Sequence, residues 1–177
     1  MDLDIPVLET ARLRLRGHRL ADFEDVVTLW GNPEVTRFIG GKPSTREEAW
    51  ARLARNNGLW SLLGRGPWAV EEKDTGAYVG GVGFYDGKRD IVPSLEAMAE
   101  VGWALSPRVH GKGYATEAVR AVLAWGDAQL GDLPIVCIID PENLASIRVA
   151  EKVGFRVWQH TTYHDHATIV FKRELRP

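Results

Sequence analysis

A chain of 177 residues, with 22 basic against 24 acidic side chains and a net charge of −2, is long enough for one domain with a sizeable core. Its near-balanced charge argues against a nucleic-acid binder. The one cysteine, Cys137, excludes an intrachain disulfide and suits a reducing cytoplasm; no apolar run approaches the roughly 20 residues of a membrane span, and the acidic start Met1-Asp2-Leu3-Asp4 is unlike a secretory leader.

Residues 8–16 alternate, with Leu13 and Leu15 to one side and Arg12, Arg14 and Arg16 to the other. This reads as a strand with one wet face and solvated arginines. Phe23, Val26, Val27 and Trp30 make the apolar stripe of a helix over 22–30, which Gly31-Asn32-Pro33 ends. Residues 34–39 read as a further helical turn. Ser44-Thr45-Arg46-Glu47 reads as a capping box that opens a helix to about residue 57. Strands over 68–72 and 77–85 form a hairpin about Lys73-Asp74-Thr75-Gly76, and residues 97–105 add the next strand of an antiparallel meander. Gly80, Gly81 and Gly83 weaken the second strand but permit close approach by another backbone or side chain.

The most informative stretch follows. Ser106 and Pro107 stop a largely apolar strand, and Arg108-Val109-His110-Gly111-Lys112-Gly113 leads into a helix whose face carries Ala115, Ala118, Val119, Val122 and Leu123. Glycines let a backbone turn tightly and approach a ligand. The unpaired amides of a helix N-terminus, together with its dipole, favour an anion. With the basic side chains added, the stretch reads as a diphosphate cradle. A dinucleotide fingerprint fails because Thr116 stands at the third glycine's place, and a Walker loop fails because no glycine lies five residues before Gly111. An ordinary strand–helix turn of an α/β domain, or a nucleotide-binding module, remains open on these residues alone.

Further on, Ile135–Ile139 is a buried strand by composition, with Cys137 in its core. A helix begins near Asn143 and stops at Gly154, and strands over 155–158 and 167–175 close the chain. Asn143 can hold an amide-rich arm or cap its helix; Ser146 lies three residues on, on the same face.

R-x-x-G-x-G after a strand resembles the acyl-coenzyme A loop of the GCN5-related N-acetyltransferases (GNAT). The text VGWALSPRVHGKGYATEAV is similar to the subgroup containing the ribosomal-protein N-terminal acetyltransferases. The resemblance extends to E-T-x-R-L-x-L-R from Glu9 and to Asn143-Leu144-Ala145-Ser146 with Glu151-Lys152-Val153-Gly154-Phe155. It implies one domain over 1–177 of α/β (α+β) type, with a mixed, mostly antiparallel sheet flanked by helices and splayed between the strand ending at Leu105 and Ile135–Ile139. It implies acetyl-coenzyme A as cosubstrate and no metal. The cosubstrate would be held by Trp103, Ala104 and Leu105, by the loop residues Arg108, Val109, His110, Gly111, Lys112, Gly113, Tyr114, Ala115 and Thr116, and by Asn143 and Ser146. Gly102 would suit a bulge.

The implied reaction is direct attack of a primary amine on the thioester. The acceptor is a protein N-terminus or a small molecule, with Phe38, Trp50 and Trp60 as candidate walls of its groove or else as plain core. Neither nucleic acid nor membrane is a partner, and a homodimer is implied by likeness. Glu100, in an otherwise apolar run, is the expected base, against a cross-strand ion pair. Tyr163, His164 and His166 are further titratable groups. Where many members have a tyrosine before the E-K-x-G-F ending, this chain has Ala150, so Ser146, or a water it orders, stands in as the acid. A non-catalytic acyl-coenzyme A sensor is the alternative.

Overall fold

The computed structural model describes residues 4–173. The first three residues of the acidic start, and Glu174 and Leu175 of the last expected strand, lie outside the described residues. In chain order the elements are β1 (Leu8–Glu9), β2 (Leu13–Arg16), α1 (Phe23–Trp30), α2 (Pro33–Thr36), α3 (Arg46–Leu63), β3 (Pro67–Glu72), β4 (Tyr78–Tyr85), β5 (Ala99–Leu105), α4 (Tyr114–Gln129), β6 (Ile135–Ile139), α5 (Leu144–Lys152), β7 (Phe155–Tyr163) and β8 (His166–Arg173). They build an eight-stranded sheet in the order β1-β2-β3-β4-β5-β6-β8-β7. Only the β5–β6 pairing is parallel. The mixed, mostly antiparallel sheet expected from the sequence is present.

One face of the sheet packs on α4. Leu13, Leu15, Trp68, Val82, Phe84 and Val101 meet Ala118, Val119 and Val122 in the main core. Trp60, Trp68 and Trp125 stack edge to face beside them, with ring centroids 4.6–5.5 Å apart. The other face is covered by α1 and α3 through a smaller cluster of Val26, Leu29, Trp30, Leu53 and Ala104. Gly80 is required where β4 passes β5: its φ is +144°, and a Cβ there would stand 2.2 Å from the Ala104 carbonyl oxygen.

Several local expectations are corrected. Residues 8–16 are not one strand but a hairpin, because Thr10 turns the chain by bonding the Leu13 backbone through both its amide and its hydroxyl. Arg16 is not solvated: it is 5% exposed, with Asp22 bound bidentately at 2.7 and 2.8 Å and Glu71 at 2.6 Å. Burial disfavours its charge, but the hydrogen bonds it donates to Asp22 and Glu71 outweigh that and raise its pKa. The capping box is shifted by one residue, to Thr45 with Glu48. α3 continues through Gly58 to Leu63, because Leu59 and Trp60 have core to bury against. No helix among the described residues is long and apolar enough to cross a membrane.

Candidate active site

β5 and β6 pair only at Ala99↔Ile135 and Glu100↔Val136. Beyond Glu100 the strands part, while β5 keeps its full register with β4 from Tyr85↔Glu100 to Gly80↔Leu105. The β6-facing edge of residues 101–105 is therefore without a strand partner among the described residues. Such an edge is a template for an extended, amide-bearing ligand. Gly102 makes no bulge: it lies opposite Gly83 in regular register, and the irregularity falls between Val70 and Glu71.

The loop from β5 to α4 lies at the end of this gap. Gly111 and Gly113 both have positive φ, +75° and +79°. Gly113 is the N-cap of α4 and has no side-chain cap. The amides of Val109, His110 and Lys112 are used within the loop, and that of Glu117 bonds the Gly113 carbonyl. Those of Gly111, Gly113, Tyr114, Ala115 and Thr116 have no acceptor among the described residues. These amides fit the diphosphate of an acyl-coenzyme A, and the unpaired β5 edge fits its amide-bearing arm.

The loop is held from outside. The Arg12 guanidinium donates to the Lys112 carbonyl at 2.8 Å and to Glu117 at 2.7 Å. A trans peptide points its C=O and N–H in opposite directions, so fixing the Lys112 carbonyl outward aims the Gly113 N–H the other way. Burial opposes ionisation of Glu117, but hydrogen bonds from Thr10 and from the amide and guanidinium of Arg12 lower its pKa overall. On the β3 side, Glu72 accepts from Tyr114 at 2.9 Å and from Arg108 at 3.3 Å, and the Tyr114 bond leads the causes that hold its carboxyl below its ordinary value. Arg108 is thus a strut of the loop. His110 places Nε2 3.0 Å from the Leu105 carbonyl, and Val109 is 2% exposed in the core, so its side chain anchors the turn. Arg108, His110 and Lys112 are all exposed, and Lys112 Nζ lies 6.0 Å from the Tyr114 ring centroid.

Across the gap, Trp103 donates its indole N–H to Ser146 Oγ at 3.3 Å. The first turn of α5 is thereby joined to β5, and the Ser146 hydroxyl proton is left uncommitted. Asn143 caps α5, its Oδ1 accepting from the Ser146 amide at 3.1 Å; its Nδ2 has no partner among the described residues. Ala150, at the place where a tyrosine was looked for, is fully buried in the main core.

Glu100 is the expectation that the geometry revises. Both carboxylate oxygens accept from Arg89, at 2.6 and 2.7 Å. To act as a base it would have to break that fork. The partner comes from the loop after β4, not from a neighbouring strand. Arg89 also lies 5.0 Å from the centroid of the Tyr163 ring, and His164 stacks on Tyr163 at 4.0 Å; His166 is exposed. Trp60 is no groove wall: it is 7% exposed in the aromatic core, with its N–H bonded to the Pro67 carbonyl. Trp50 is 48% exposed against Phe23, and Phe38 is half-buried under the Arg37 guanidinium.

Arg12, Glu72, Arg89 and Glu117 were missed by sequence reasoning. A charge within a strand or the first turn of a helix carries no local mark of its partner. Among the described residues no group of His, Cys, Asp and Glu side chains could hold a metal ion.

The family model of the acetyltransferase (GNAT) domain matches residues 12–156. The uncharacterized N-acetyltransferase YoaA of Bacillus subtilis is 30% identical over 152 residues, 85% of this chain and 83% of the relative. Among solved structures, an acetyltransferase of Agrobacterium tumefaciens is 27% identical with a TM-score of 0.84, covering 99% of this chain and 98% of that one. RimL, a ribosomal L7/L12 α-N-protein acetyltransferase solved with coenzyme A, shares the fold at a TM-score of 0.77 and 16% identity, over 95% of this chain and 97% of its own. A split sheet, a glycine loop at a helix start and a match over most of the length agree: this chain belongs to the GNAT acetyltransferase family.

Proposed function

We propose that residues 1–177 form one N-acetyltransferase domain, which moves the acetyl group of acetyl-coenzyme A to a primary amine by direct attack in a ternary complex. The observation that carries this reading is the unpaired edge of 101–105 leading into the free amides from Gly111 to Thr116. Those amides hold the diphosphate, and the edge aligns the thioester opposite the acceptor. The amine nitrogen adds to the thioester carbon, giving a tetrahedral oxyanion, and the carbon–sulfur bond breaks as that oxyanion collapses and expels the thiolate. Main-chain amides of β5 that face the gap stabilise the oxyanion. The amine's proton leaves through water, since Glu100 is occupied by Arg89. Ser146 Oγ, oriented by Trp103, passes a proton to the departing thiolate. Reading the chain as cytoplasmic rests on its single cysteine, Cys137, and reading it as a homodimer rests on likeness to the family.

Free-thiol detection across a panel of amines tests the reading. Thiol release with at least one amine supports it; calorimetric coenzyme binding with no release overturns it in favour of a sensor. Ser146→Ala should lower kcat about tenfold while the KM for acetyl-coenzyme A stays within about twofold. A change in KM alone removes Ser146 from the chemistry.

A further inference from the structure

The sheet face turned toward α1 and α3 has a small-residue floor beside the gap. Gly102 lies at its centre, and the Tyr85 ring rests against it: a Cβ at Gly102 would stand 3.1 Å from Tyr85 Cε2. Arg52, on α3, lies over the Trp30 ring, which packs in one cluster with Ala104 on this face. Its guanidinium carbon is 3.6 Å from the Trp30 ring centroid, and its Nε is buried with no hydrogen-bond partner. Three other sequestered arginines grip carboxylates, each through two bonds: Arg16 holds Asp22, Arg89 holds Glu100 and Arg173 holds Asp127; Arg65, like Arg52, leaves its Nε buried without a partner among the described residues.

Among the described residues Arg52 has no such partner. Glu48, one helical turn before it, is committed to the Thr45 cap. The charge nearest in effect is a second cation, Arg55, which together with burial weakens the hold of Arg52 on its proton. Tyr85 lies within the field of Arg52, Arg55 and Glu100, with burial pushing its phenol up to about 12. The Tyr85 ring against Gly102, and the Trp30 ring under Arg52 in one cluster with Ala104, set Arg52 on the face of β5 where the strands separate. Asn56, one turn along α3, leaves a buried Oδ1 unpaired as well.

A half-buried guanidinium is costly unless something accepts its protons, and its planar fork matches a carboxylate. We infer that the acceptor is a small amine carrying its own carboxylate, an amino-acid-like molecule, and that Arg52, with Arg55 beside it, receives that carboxylate. The inference rests on the acetyl-transfer reading and names the substrate class of the same site. It has a chemical consequence. Cations beside the acceptor nitrogen favour its neutral, nucleophilic form, which lessens the need for a free carboxylate base. A polyamine, cationic along its length, would meet like charge.

The test is thiol-release kinetics with matched acceptors: a free α-amino acid, its α-amide, its decarboxylated amine, an aminoalkyl phosphate and spermidine. The free amino acid should exceed the amide and the amine in kcat/KM by about tenfold or more, as loss of a charge-assisted pair implies. Arg52→Met should raise KM for the amino acid about tenfold, leave the amide within about twofold, and leave KM for acetyl-coenzyme A unchanged, with partial rescue in Arg52→Lys. Arg55→Gln, at an exposed helix position, provides the same readout if Arg52→Met does not fold. Equal or better turnover of the amide, amine, phosphate or spermidine overturns the inference, as does an equal loss on every acceptor. If no acceptor releases thiol although acetyl-coenzyme A binds, acetyl transfer itself fails and this inference falls with it.

Discussion

The two faces of the sheet are built on opposite terms. Toward α4, Trp68, Val82, Phe84 and Val101 are fully buried and the space is filled by apolar side chains and a stack of indoles. Toward α1 and α3, the strands present Ala69, Gly81, Gly83, Gly102 and Ala104, and the polar groups above them are incompletely satisfied: His18 Nδ1, Asn56 Oδ1 and Arg52 Nε have no partner. The first face is packed for stability. The second leaves hydrogen-bonding capacity that the chain itself does not use. This difference is what favours the second face for the proposed acceptor site.

Three measurements would break or sharpen this contrast. The largest effect belongs to the apolar face: Trp68→Ala should cost about 3–5 kcal/mol in urea unfolding, and a loss under about 1 kcal/mol would show the core to be less tightly built than described. Next is His18, 7% exposed on the other face, whose burial lowers its pKa from 6.5 to about 4. The unfolded chain then binds the extra proton. The stability that this neutral imidazole contributes is complete above about pH 6.5 and is lost as pH falls toward 4, by about 3 kcal/mol. Unfolding curves at pH 7 and pH 4 should show this slope, and His18→Asn should remove it. The smallest change in stability is expected for Gly102→Ala. The added methyl group meets only the Tyr85 ring, at 3.1 Å, which needs to shift by a few tenths of an ångström, so thermal unfolding should shift by less than about 1 kcal/mol while acceptor kcat/KM falls by about tenfold. A large loss of stability with activity unchanged would mean that this face is packed like the other.

Much of the binding half of the site is legible along the chain. A strand stop, two glycines one residue apart and an amphipathic helix follow one another over about ten residues, and short-range sterics and dipoles are enough to interpret them. Ile135–Ile139 is found at its observed bounds for the same reason: a continuous apolar run between turn residues has few other solutions. Where local signals compete, the bounds move. The break at Thr10 is invisible in an alternating pattern that continues across it, and α3 outruns its own weak periodicity because the core accepts Leu59 and Trp60.

What the order of residues could not reveal is which charged and polar groups would find one another. Arg12 meets Glu117, Trp103 meets Ser146 and Arg89 meets Glu100 because the order β1-β2-β3-β4-β5-β6-β8-β7 and the helices across it bring distant segments together. Ion pairs act over a few ångströms of space without regard to chain separation, whereas helix and strand propensities act over a few residues. The glycine loop at the start of α4 could thus be read from its residues. The commitment of Glu100 to Arg89, and the want of any such partner for Arg52, exist only once the strands and helices have been packed.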